Sequence, residues 1–250
     1  MDIETLPLIL ALTAAFCTAV FHSVGGFAGA LLLAICLAPI IGVKETVPVT
    51  ATAMVISNCT RVWVFRASVD WRAFLAIFGI STPFIILSAI IYISLPVAIV
   101  ALILGVFLLL SVPLQRAMSR LDVKVGQRGL AAAAVPYGLL SGSTFGAGML
   151  LAPFLIGYGL AGEMLVGTVA SIGFGLNVLK AVVFGFSPLL TTPLLLKGLL
   201  IGLFTIPGAY VGRWIVRSTP LRIHKLFMEA LILSGGLYFL YEAAREFSWL

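Results

Sequence analysis

Val97 to Val112 reads VAIVALILGVFLLLSV, sixteen residues with no charge and no alternation of polar with apolar side chains. Only helices and closed barrels satisfy their backbone groups in lipid. A barrel strand would alternate over about ten positions, so this stretch reads as a membrane helix. Outward from it, charges, prolines and glycine pairs mark off ten apolar segments, near 7–24, 27–43, 46–65, 71–94, 97–115, 129–145, 147–160, 164–186, 193–212 and 224–244. The whole 250-residue chain is 62% apolar and 10% charged, with a mean hydropathy of +1.20. A soluble domain carries about 25% charge to wet its surface. A span takes roughly 20 residues, so the chain is filled by spans and short connections. That leaves no room for a sizeable soluble domain, and excludes enzymes built on a cytosolic catalytic module. The expected fold is an all-α polytopic membrane protein of about 8–10 transmembrane or re-entrant helices.

Several chemistries find no support. There is no H-E-x-x-H, no Ser/His/Asp set near one membrane depth and no phosphate loop. No catalytic residue, metal site or cofactor is therefore expected, and no basic stripe with interleaved aromatics points to nucleic acid. Cys17, Cys36 and Cys59 lie in apolar runs without metal-like spacing and read as small buried hydrophobes. Asn58-Cys59-Thr60 fits a glycosylation sequon by chance, inside an apolar run. The N-terminus, Met-Asp-Ile-Glu, is acidic where a signal peptide would be basic, so the first segment reads as a retained span.

The basic residues give an orientation. Arg66 and Arg72, then Arg116, Arg120, Lys124 and Arg128, then Arg213, Arg217, Arg222 and Lys225 all fall on one side if the segments cross or return in pairs. Lys44 and Arg245 flank the other side, while Arg61, Lys180 and Lys197 lie within segments. By the positive-inside rule the ten-residue group is cytoplasmic and both termini are extracytoplasmic.

An internal repeat emerges when the halves are aligned. Phe27-Ala-Gly-Ala-Leu-Leu-Leu-Ala34 matches Phe145-Gly-Ala-Gly-Met-Leu-Leu-Ala152 at an offset of 118 (145 minus 27), which also places Glu45 on Glu163 and Thr50 on Thr168. After a one-residue shift, Asn58-x-x-Arg61-x-x-x-Phe65 matches Asn177-x-x-Lys180-x-x-x-Phe184. Residues 1–115 form the first repeat, 116–128 a basic cytoplasmic linker and 129–250 the second. With five segments per half the second repeat enters the membrane inverted, the architecture of secondary transporters with a midplane site.

Two features carry the candidate site. The breaks at His22-Ser23-Val24-Gly25-Gly26 and Ser141-Gly142-Ser143-Thr144-Phe145-Gly146-Ala147-Gly148 lack the charged loop of a hairpin in water. Each reads as a buried tip, re-entrant or broken. A helix starting after such a tip offers unpaired N–H groups and partial positive charge, and glycine admits a ligand close to the backbone. Gly25, Gly26, Gly146 and Gly148 thus frame the tips, with Ser23, Ser141, Ser143 and Thr144 adding hydroxyls. The alternative is that the glycines serve helix packing, as Gly198-x-x-x-Gly202 and Gly208-x-x-x-Gly212 are expected to do. The second feature is Asn58/Arg61 with Asn177/Lys180: spacing i, i+3 puts amide and cation on one face, a clamp for an anion. Its alternative is snorkelling of both cations to the interfaces. Thr50 and Thr168 are expected to bond back to their own helices, and Glu45 and Glu163 to sit at solvated segment ends. His22 is the candidate for proton coupling, with proton or cation coupling otherwise open.

These pieces together resemble the sulfite exporter TauE/SafE (TSUP) family. The Gly-rich turns, Pro153, the threonines at 50 and 168, the Arg66-to-Trp71 stretch and Gly208-x-x-x-Gly212-Arg213 carry the likeness. The chain departs from the family's Gly-x-Gly-Gly-Gly pattern in both halves, and Ser187-Pro188-Leu189 stands where a second Asp-Trp is usual. The resemblance implies a permease for sulfite, thiosulfate or sulfonates in a bacterial plasma membrane. The expected function is alternating-access transport of a small anion, with the lipid bilayer as partner. An anion channel of the same architecture and a non-transporting assembly subunit are the alternatives; substrate direction and oligomeric state are not legible.

Overall fold

The computed structural model describes residues 5–25, 29–120, 124–216 and 221–248. Among them the expected segments are α-helices: α1 (Thr5–Gly25), α2 (Gly29–Ile41), α3 (Val43–Phe65), α4 (Trp71–Ser94), α5 (Val97–Arg120), α6 (Gln127–Ser143), α7 (Gly148–Gly157), α8 (Gly162–Gly185), α9 (Thr192–Val216) and α10 (Leu221–Glu246). A 3-10 turn, Arg66–Ser68, links α3 to α4. Asp70 then starts α4, its carboxylate accepting the N–H groups of Arg72 and Ala73, both at 2.9 Å. Such a cap satisfies donors that a helix start leaves open.

Trp71–Ser94, Val97–Met118 and Gly162–Gly185 are long and apolar enough to cross a bilayer. α5 explains why periodicity is weak here. Leu104, Leu108 and Ser111 are buried, while Leu102, Val106, Leu110 and Leu114 form an exposed apolar stripe. Lipid covers the second face as protein covers the first. The same reasoning corrects the reading of the cysteines: Cys17, Cys36 and Cys59 are exposed on the outside of the bundle rather than buried in it.

α2 and α7 are different. With 13 and 10 residues they reach about 20 and 15 Å at 1.5 Å per residue, short of a hydrocarbon core of about 30 Å. The Val125 N–H donates to the Gly157 carbonyl at 2.9 Å, so α7 returns to the level at which α6 begins. The α6–α7 unit enters the bundle, turns at residues 144–147 and comes back as a half-length helix.

Packing follows a pattern that survives exchange of α1–α5 with α6–α10. α4 packs on α6 as α1 packs on α9; α3 meets α9 as α4 meets α8; α1–α2 and α2–α3 correspond to α6–α7 and α7–α8. The pairs α3–α8 and α5–α10 map onto themselves. The smaller α1–α10 and α3–α5 contacts are the exceptions. Glycines set the closest approaches: a Cβ on Gly202 would lie 2.8 Å from the Ala53 carbonyl oxygen of α3, and one on Gly208 would overlap the Phe16 carbonyl oxygen of α1. Both expected packing motifs therefore act as such at Gly198, Gly202 and Gly208, the surroundings of Gly212 lying outside what the structure describes.

The stretch expected as a 116–128 linker is divided, since α5 runs on to Arg120 and α6 starts at Gln127. Arg116 consequently lies on α5, where its Nε donates to Glu229 Oε1 of α10 at 3.1 Å and its Nη2 completes a two-pronged pair with Oε2.

Candidate anion site between the helix break and the α3–α8 pair

α3 and α8 cross where Gly173 faces Asn58; a Cβ there would stand 3.0 Å from Asn58 Nδ2. Beside this crossing lies a cavity of about 80 Å³. A water needs roughly 10–15 Å³ by this measure, so the space suits a small cluster of waters or one compact ion. Its walls carry both members of several repeat-related pairs: Ala30 and Gly148, Ala51 and Val169, Asn58 and Asn177, Arg61 and Lys180. Ser141, Thr144, Gly146 and Ala147 of the second break also line it, with Thr50, Met54, Tyr137, Phe145 and Leu176. No carboxylate is among the described lining residues.

The groups expected at the site behave unequally. Lys180 does not snorkel. It is 5% exposed, and its Nζ donates to the carbonyls of Ser141 and Thr144, both at 2.8 Å. These oxygens belong to the open end of α6, where the helix dipole is negative, so the ammonium caps the broken helix. Thr144 Oγ1 donates to the Leu140 carbonyl at 2.6 Å, and Asn177 Nδ2 to the Gly173 carbonyl at 2.7 Å. The Thr144 hydroxyl hydrogen and one of the two Asn177 amide hydrogens are thereby committed to backbone. Ser143 bonds weakly to Leu139 at 3.5 Å and does not line the cavity. Arg61 and Asn58 line it from α3.

The break itself supplies further donors. Gly146 has φ +72 and Ala147 follows in the right-handed region with φ −56 and ψ −21. A left-handed residue next to a right-handed one turns successive N–H groups toward one side, the anion-binding nest. The N–H groups of Gly146, Ala147 and Gly148 have no acceptor among the described residues, and they stand at the positive end of α7. Gly146 is fixed twice over, since a side chain would also overlap Leu31 of α2. Gly148 meets nothing within 4 Å.

Two hydroxyl oxygens, Ser141 Oγ and Thr50 Oγ1, are buried without a hydrogen-bond partner among the described residues. Tyr137, one turn before Ser141 on α6, lines the same cavity. An orphan of this kind costs about 1–3 kcal/mol, and both belong to residues that line the same cavity. Thr168 does not; its Oγ1 accepts the Asp70 N–H at 2.9 Å, and Glu163 next to it accepts from Ser68 Oγ at 3.4 Å. That pair ties α8 to the α3–α4 link. Of the first break, Gly25 closes α1; Gly26 and the side chains of His22 and Ser23 lie outside the described residues.

Sequence reasoning missed three features, the first being Thr168, expected to bond back to its own helix but accepting the Asp70 N–H instead. Thr50 was assigned a helix back-bond, and nothing local in the sequence distinguishes it from Thr46, Thr52 and Thr60, which make that bond. Glu229, 6% exposed, had a signal available: a carboxylate inside an apolar segment calls for a partner.

Half-length helices meeting at a buried break, a donor-rich cavity and helices apolar on their outer faces define an integral membrane protein built around an internal polar site. The chain matches the family described as Sulfite exporter TauE/SafE over residues 11–239, and it belongs to that family. Its members are membrane transporters, not enzymes. No curated protein and no solved structure matches the chain.

Proposed function

We propose that this protein is a secondary permease for a small sulfur oxyanion such as sulfite, thiosulfate or a small sulfonate, working by alternating access. The observation that carries the reading is the cavity's polar lining: two cations, a nest of free N–H groups and an orphan serine hydroxyl, with no carboxylate among the described lining residues. Such a lining suits an anion and opposes a cation. The sulfur in the substrate rests on the family description.

In this reading the anion sits on the N–H groups of residues 146–148 and the Ser141 hydroxyl, with Arg61 and Asn58 approaching from α3. Lys180 holds the α6 end in place so that the nest keeps its shape. Residues 1–115 and 129–250 act as inverted repeats that rock about the site, an assignment supported by the exchange pattern of helix packing. Both termini are placed outside and the basic group around 116–128 in the cytoplasm of a bacterial plasma membrane.

Reconstituted protein should give saturable sulfite flux driven by a gradient. Flux that rises linearly with sulfite would indicate a channel, and absence of any anion flux would end the permease reading. Lys124→Cys tests orientation separately: impermeant maleimide should label it only after cells are opened, and labelling of intact cells would overturn the placement.

A further inference from the structure

Thr50 and Thr168 occupy related positions in the two halves, yet their hydroxyls are used differently. Thr168 Oγ1 accepts the Asp70 N–H and is absent from the cavity wall. Thr50 is 1% exposed, lines the cavity and has no partner for its Oγ1 among the described residues. The usual escape for a threonine in a membrane helix is a bond to the carbonyl four residues back. On the same helix Thr46, Thr52 and Thr60 take it, at 2.6, 3.0 and 3.1 Å. Thr50 does not. A buried hydroxyl that forgoes an available local acceptor, on a residue that lines a donor-rich cavity, is a group awaiting a ligand.

We propose that Thr50 is a substrate-contact and specificity-determining residue, its hydroxyl completing from α3 the oxyanion site that Ser141 and the nest form from the second half. The assignment rests on the permease reading above. It places one neutral donor from each half on the anion, Thr50 from the first and Ser141 from the second, so that binding draws the two halves together. Hydroxyls also accept, which guanidinium, ammonium and backbone N–H groups cannot. A site with both kinds of group can hold an oxyanion that keeps a proton as readily as one that has lost it.

The test uses the full chain in proteoliposomes with sulfite as the probe, and its melting in detergent with and without sulfite. Thr50→Val keeps the shape and removes the hydroxyl. Half-saturating sulfite should rise about tenfold or more, as for loss of a hydrogen bond to a charged group, with the maximal rate within about twofold; Thr50→Ser should restore it. Without sulfite, Thr50→Val should melt no lower than wild type, because the hydroxyl it loses has no protein partner, and its sulfite-induced stabilisation should shrink. Thr168→Val should do the opposite, melting lower while keeping wild-type half-saturation.

Wild-type half-saturation in Thr50→Val overturns the assignment, as does a Thr50→Val protein that fails to fold or melts lower without sulfite, since the hydroxyl would then be structural. An equal rise in Thr168→Val also overturns it. Wild-type protein with neither flux nor thermal response to sulfite, sulfate, thiosulfate or methanesulfonate removes the permease reading and this assignment together, an outcome distinct from the others.

Discussion

Asn177 to Lys180 on α8 and Asn58 to Arg61 on α3 share one spacing and one cavity, but the protein holds them differently. Lys180 is buried and gives two N–H groups to the carbonyl end of α6, and the Asn177 amide is turned back onto Gly173. Arg61 is only partly buried and Asn58 lies across from a glycine that leaves it room. The difference teaches that related positions need not do the same work. In the proposed permease, Lys180 organises the site and Arg61, which lines the cavity from α3, is assigned to the anion.

Removing each cation is the strongest way to break that comparison. Lys180→Met should abolish sulfite flux and lower Tm as well, because two buried carbonyls lose charged donors. The expected loss is about 2–4 kcal/mol, or roughly 5–15 °C for a chain of this size. Arg61→Gln should raise half-saturating sulfite at least about tenfold with a smaller fall in Tm. Flux at several sulfite concentrations and melting in detergent check both. Equal profiles for the two variants would show that the cations share one role.

How far these roles were legible depends on what sets them. The ten helices could be placed because charges and glycine pairs interrupt apolar runs, and the α6–α7 break because Ser141 to Gly148 lacks a charged loop. The inner and outer faces of a helix such as α5 were not legible, because lipid and protein core select the same side chains. That is why Cys17, Cys36 and Cys59 were read as buried. The sequence left Lys180 between an anion clamp and a snorkelling cation, and its acceptors lie 36 and 39 residues away. No spacing rule reaches across that distance, and none distinguishes Thr50 from its back-bonded neighbours.

The turn that Lys180 secures offers the next test, with a smaller effect. Gly146 and Gly148 looked equivalent in sequence, yet a side chain at Gly146 meets both a positive φ and Leu31, whereas one at Gly148 meets open space. Gly146→Ala should therefore lower Tm by about 5 °C or more, since a left-handed position and a close contact each cost of order 1 kcal/mol or above. Gly148→Ala should leave Tm within about 2 °C while raising half-saturating sulfite several-fold, its methyl entering the cavity beside the N–H groups. If Gly148→Ala transports like wild type, the anion does not sit at the start of α7 and the contrast between organising and contacting groups loses its second half.

The smallest effect is expected where a third cation is held by a third means. Arg116 meets a carboxylate, Glu229, at the α5–α10 contact, away from the cavity lining. Its side chain is 52% exposed, so water and salt already screen much of the attraction. Glu229 is buried, and Glu229→Gln keeps a hydrogen-bonding oxygen for the guanidinium while removing the charge. Tm should fall by no more than a few degrees, with half-saturating sulfite unchanged. Lys180 differs in being buried, so water and salt do little to screen its bonds to the two carbonyls. A large loss of flux in Glu229→Gln would mean that α5 and α10 move during transport and that their ion pair takes part in the cycle. The division between organising and contacting cations would then have to extend beyond the cavity.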